Sequence, residues 1–115
     1  MKKAIPIGYW YNPKLPKETA KYPKVENYKN DSLNIREKQK LIYFLKTFGE
    51  KLYTTNYRGC SKCRICNKLL GSGEDIRIYE GEKYIIPHKF EHYILEHNIL
   101  VPLPNPLQRL LNNSN

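Results

Sequence analysis

Between Ile35 and Phe48 the apolar residues Ile35, Leu41, Ile42, Leu45 and Phe48 recur at the three- and four-residue spacing of one helix face. That rhythm predicts an amphipathic helix of about fourteen residues packed on a sheet, with Asn34 and Glu37 as a capping box and Gly49 as its stop. After it the period shortens to two. Lys51 to Tyr57 is rich in strand formers, and residues 75–80 and 83–86, on either side of Gly81-Glu82, read as a β-hairpin. Pro87 then opens a short helix from His88 to Glu96, with Phe90, Ile94 and His97 on its buried stripe, His88 at the solvent-facing entry, and Asn98 as a left-handed stop. Before the long helix, residues 4–11 predict a short apolar strand. Residues 12–31, whose prolines at 13, 16 and 23 are expected to forbid a helix, predict an extended surface segment pinned by Tyr22, Val25 and Tyr28. The tail from Leu100 to Leu111 is expected to dock, on the body or on a partner, through Leu103, Leu107, Leu110 and Leu111.

These elements describe an α+β protein. At 115 residues the chain is expected to form one domain over 1–115, made of a strand and an extended Pro/Lys/Tyr segment (1–31), a helix (32–49), a ligand-bearing module (50–98) and a Pro/Leu tail (99–115). Eight prolines, six glycines and a mean hydropathy of −0.70 leave it polar and loop-rich, so a metal staple would be physically useful. No apolar run approaches the roughly 18–20 residues of a membrane span, and the start MKKAIPIGYWYNP has no signal-peptide core before its prolines. The expected setting is intracellular, in the cytoplasm or packaged in a virion, without export by a signal peptide.

Candidate chemistry is confined to residues 60–97, which hold every Cys and His. Cys63-x2-Cys66, then 25 residues, then His92-x4-His97 has the ligand types, order and spacing of a structural Zn²⁺ site. Cys60-x2-Cys63 and His88-x3-His92 have competing spacings, so Cys60 and His88 stand as rival ligands. Knuckle, hairpin and short helix in that order suggest a ββα or treble-clef-like zinc module. Three closely spaced cysteines, an odd number, fit metal ligation in a reducing compartment better than a disulfide framework.

The segments Gly59-Cys60-Ser61-Lys62-Cys63-Arg64-Ile65-Cys66, Gly71-Ser72-Gly73-Glu74, Tyr84-Ile85-Ile86-Pro87 and Glu91-His92-Tyr93-x3-His97 resemble a family of small uncharacterised proteins of bacteria and large, mimivirus-like DNA viruses. The shared pattern reads G-x-S-x-C-R-x-C-G, N-G-S-x-E-L, Y-x-W-P and H-Y-x3-H, and Gly8-Tyr9-Trp10 is similar to its opening G-Y-W. This chain has Asn67 in place of the glycine after the second cysteine, and Ile86 in place of the tryptophan. The resemblance implies a metal site on Cys63, Cys66, His92 and His97, without Cys60 or His88, and names no activity.

A formal net charge of +9 invites a nucleic-acid partner. Lysine outnumbers arginine 15 to 5 and Asn, Ile and Tyr abound, a bias that AT-rich codons produce by themselves. The cations nevertheless cluster: Lys2, Lys3, Lys14, Lys17, Lys21 and Lys24 near the start, and Arg58, Lys62, Arg64 and Lys68 around the knuckle. Pro87 stands five positions before His92, which leaves about one helical turn ahead of the first His and no base-reading face of the kind a DNA-binding C2H2 finger presents. A phosphate-binding glycine loop, HExxH and GxSxG are all missing from the sequence. Cys60 beside Lys62 and Arg64 is the one candidate nucleophile, and a ββα-metal nuclease would need an open metal position. The expectation is a non-enzymatic zinc-binding adaptor with an unidentified protein partner. The alternative is sequence-independent nucleic-acid binding through Arg58, Lys62, Arg64 and Lys68, with Tyr9, Trp10 and Tyr11 as stacking groups.

Overall fold

The computed structural model describes residues 4–113, except for the side chains of residues 57–60. Helix α2 (Ile35–Thr47) begins at a complete capping box, in which Asn34 Oδ1 accepts from Glu37 N at 2.8 Å and Glu37 Oε1 accepts from Asn34 N at 3.1 Å. It turns Leu41, Phe44 and Leu45 inward; Ile35 is 57% exposed and Ile42 only partly buried, so the inner stripe runs through Phe44, which the spacing argument missed. The chain leaves α2 through Gly49 at φ 57, where an added Cβ would lie 2.2 Å from Ile78 O, so only glycine fits both the conformation and the space.

Strands β2 (Glu50–Lys62), β3 (Leu69–Tyr79) and β4 (Glu82–Pro87) form an antiparallel meander, and β1 (Ile5–Pro6) adds to β4 in parallel, so the sheet is mixed with order β1-β4-β3-β2. The β3–β4 loop is Glu80-Gly81, with φ of 51° and 80°, one residue earlier than expected; positive φ at both positions is what a type I′ hairpin turn requires. Alternate residues of β4, Tyr84 and Ile86, enter the core. Buried Arg77 of β3 donates from Nε to Phe48 O at 2.7 Å, tying the sheet to the end of α2.

The expectation that the prolines of residues 12–31 forbid a helix fails. Pro16 occupies the first turn of a short helix, α1 (Pro16–Thr19), and α4 (Asn105–Asn112) begins at Pro104-Asn105-Pro106; an N-terminal turn has amide groups without helical partners, so proline loses nothing there. A 3-10 turn at Val25–Tyr28 further interrupts the segment expected to be extended, and the predicted strand over 4–11 shrinks to Ile5–Pro6. The predicted helix from His88 is also corrected. His88 N donates to Gly73 O at 2.8 Å, continuing the strand ladder past Pro87, and α3 spans Glu91–His97. It ends at left-handed Asn98 (φ 56), and the amides of Asn98 and Ile99 both reach Tyr93 O.

One core joins α2, β4, α3, the N-terminal segment and the tail, with Ile7, Leu45, Tyr84, Ile94, Ile99 and Leu107 at 1% exposure or less. Trp10, 4% exposed, packs its ring 5.8 Å from that of Tyr93, so it serves the core and not as a stacking platform. Cys63, 2% exposed, belongs to the same cluster. Among the described residues no helix is long and apolar enough to cross a membrane.

Candidate metal centre

Cys63 follows directly on β2, and the chain reverses within five residues: Asn67 N donates to Cys63 O at 2.9 Å and Cys63 N to Lys68 O at 2.8 Å. The turn closes through Asn67 at φ 65, a left-handed conformation that glycine or asparagine adopts at low cost. Inside the turn, Ile65 N points at Cys63 Sγ from 3.4 Å.

The second pair comes from α3, with His92 in its first turn and His97 as its last residue. Their rings lie 5.0 Å apart between centroids. One donor atom from each of Cys63, Cys66, His92 and His97 lies within 4.8 Å of all the others, and Cys66 Sγ is 3.3 Å from His92 Nε2. Zinc bonds of about 2.3 Å to sulfur and about 2.0–2.1 Å to nitrogen set neighbouring donors about 3.3–3.8 Å apart in a tetrahedron, so the cluster is close to the required size. Two further observations fit a cation. His97 Nε2 is buried without a hydrogen-bond partner, and His92 is held below its ordinary pKa, first by burial, then by the charges of His97 and Lys68, against Glu96. Burial thus favours the neutral imidazole, the form that binds metal.

Tyr93, beside His92, is the residue that the ligand spacing does not reveal. Its buried hydroxyl accepts from Arg64 N at 2.9 Å, which pins the knuckle to α3 from behind the four donors. Burial first, opposed by the Arg64 amide and reinforced by Cys63, pushes its pKa up to about 12. The tyrosine of the H-Y-x3-H motif was the available signal.

One of the two rival ligands separates from the cluster. His88 lies outside the cluster, its Nε2 2.9 Å from Asp75 Oδ1, which also accepts from Thr54 Oγ1 at 2.7 Å. The Cys60 and Arg58 side chains lie outside the described residues, as do Lys2 and Lys3. The basic residues assigned to nucleic acid divide as well: Lys62 and Arg64 face a groove against the N-terminal segment, whereas Lys68 lines a separate cavity of about 280 Å³ with His92, Leu95 and Glu96.

In comparisons with known proteins, no family model, no curated protein and no solved structure matches this chain.

Proposed function

We propose that this chain is a zinc-stapled binding or adaptor module without catalytic activity, holding one structural Zn²⁺ on Cys63, Cys66, His92 and His97. The observation that carries the reading is the convergence of these four donors, from a knuckle and a helix far apart in sequence, to within 4.8 Å. Two thiolates and two imidazoles complete the tetrahedron that zinc prefers, with no position left for water or substrate. Bound there, the metal would supply coordination energy, about 10–16 kcal/mol in finger peptides, against a net stability of about 5–15 kcal/mol for a typical domain. The order of knuckle, β3–β4 hairpin and α3 is treble-clef-like, and the resemblance to the small bacterial and viral proteins points to the same four ligands. Thiolate ligands are kept reduced in an intracellular compartment, which is where we place the protein.

Metal analysis of purified protein tests the reading. One zinc per chain is expected, lost in Cys63→Ser and His97→Ala and kept in Cys60→Ser and His88→Ala. Full zinc occupancy in Cys63→Ser overturns it.

A further inference from the structure

A groove of about 870 Å³ lies where the N-terminal segment faces the knuckle. Its charge is one-sided: Lys14, Lys24, Lys62 and Arg64 line it against the single carboxylate of Glu26. Among the described residues none of these four cations has an ion-pair partner, although Lys29, Lys46 and His88 elsewhere do. Arg64 donates from Nη1 to Lys62 O, and its buried Nε finds no acceptor in the protein, so the guanidinium retains unused donors. Unpaired cations on facing walls focus an anionic ligand into the space between them.

Apolar surface accompanies the charge. Tyr11, Leu15 and Ile65 line the same groove, with Leu15 48% and Ile65 46% exposed. The wall that carries Lys14 and Leu15 is firmly built: Asn12 N donates to Thr19 Oγ1 at 2.9 Å, Thr19 Oγ1 donates back to Leu15 O at 2.8 Å, and Tyr11 N donates to Pro23 O at 2.9 Å. A concave channel that pairs cations with exposed flat or aliphatic side chains suits a chain of phosphates bearing unstacked bases. Duplex DNA would offer such a groove only its phosphates and leave the apolar side chains unused. An acidic peptide has the charge but presents a ring only where it carries an aromatic residue, whereas every nucleotide brings one.

We infer that this groove binds a short single strand of nucleic acid without sequence preference, phosphates on Lys14, Lys24, Lys62 and Arg64, bases against Tyr11 and Ile65. The inference rests on the zinc reading in one respect, because the knuckle is one wall of the groove.

The test is fluorescence anisotropy with labelled dT10 on the full chain as purified, with zinc content measured on each sample. Four phosphate contacts to a single strand give a slope of log K against log salt of about −2.8, or about 50-fold weaker binding at 200 mM than at 50 mM salt. Lys14→Gln with Lys24→Gln should reduce the slope to about −1.4. Arg36→Gln with Lys40→Gln, exposed on α2, makes the same change of charge away from the groove and should leave the slope near its original value. Ile65→Ala should weaken binding without changing the slope. Equal losses from both charge pairs, binding of duplex as tight as dT10, or a poly-glutamate peptide that binds as well and ignores Ile65→Ala would each overturn the inference. A zinc-loaded chain that ignores dT10 sinks this reading alone, a zinc-free chain that binds it as described sinks only the zinc reading, and a zinc-free chain that does not bind sinks both.

Discussion

Replacing Tyr93 by phenylalanine removes one buried oxygen and keeps the ring, which packs 5.8 Å from Trp10 and contributes to the core. The loss falls on the Arg64 amide, whose 2.9 Å bond to that hydroxyl joins the knuckle to α3. A buried donor left unpaired costs about 1–3 kcal/mol; Arg64 is half-buried, so partial access of water puts the cost at about 1–2 kcal/mol. At about 2.1 cal/mol/K per residue, a 115-residue domain loses about 4 °C of melting temperature per kcal/mol, so Tyr93→Phe should melt about 4–8 °C lower. Groups that orient metal ligands from outside the coordination shell change affinity by about 10–100-fold, so the zinc-loaded variant should also yield its metal to a competing chelator at lower concentration. Thermal unfolding and chelator titration measure the two effects. A variant with the wild-type melting temperature and chelator midpoint would refute the idea that α3 holds the knuckle through this bond.

Gly49→Ala should destabilise by at least about 1–3 kcal/mol in denaturant unfolding, because φ 57 is strained for alanine and its Cβ would meet Ile78 O at 2.2 Å. Ile94→Ala, in a fully buried site on the helix that carries His92 and His97, should cost about 2–5 kcal/mol by the same measurement. For Asp75, burial alone would raise the pKa, but hydrogen bonds from His88 and Thr54 and the charges of His88 and Lys51 outweigh it, so the folded-state value lies below the ordinary one. A depressed carboxyl pKa contributes stability that is present above the unfolded aspartate value of about 3.9 and is lost as pH falls through the folded one. Asp75→Asn should therefore flatten the acid limb of stability against pH below about 4, as read by urea unfolding at a series of pH values.

How much of this could be read from the chain depends on how local each determinant is. The capping box at Asn34 and Glu37 and the left-handed stop at Asn98 need only a few consecutive residues, and both are in place. The same local reasoning misjudged Pro16, because proline blocks a helix interior but not its first turn. It also put His88 in a helix, since nothing near Pro87 reveals that Gly73 O waits across the sheet for the His88 amide. The start of β3 at Leu69 was hidden by Gly71 and Gly73, which weaken any strand pattern but are paired with Ser61 and Asn56. At the candidate metal centre, spacing pointed to four residues whose donor atoms the fold does bring together, whereas the Tyr93 bond to Arg64 is a contact across 29 positions that no spacing rule contains. The basic groove is less legible still. Lys14 and Lys24 meet Lys62 and Arg64 only because the N-terminal segment packs beside the knuckle, so the sequence clusters mixed groove residues with Lys68, which faces elsewhere.

X-ray absorption at the zinc edge of the purified protein tests the central claim most directly, since it counts the donors around the metal without reference to the fold. Two sulfurs at about 2.3 Å and two imidazole nitrogens at about 2.0–2.1 Å are expected from Cys63, Cys66, His92 and His97. Three sulfurs would bring Cys60 into the shell, and an oxygen donor in place of one imidazole would open a position for water. Either result would contradict a closed structural site on these four residues.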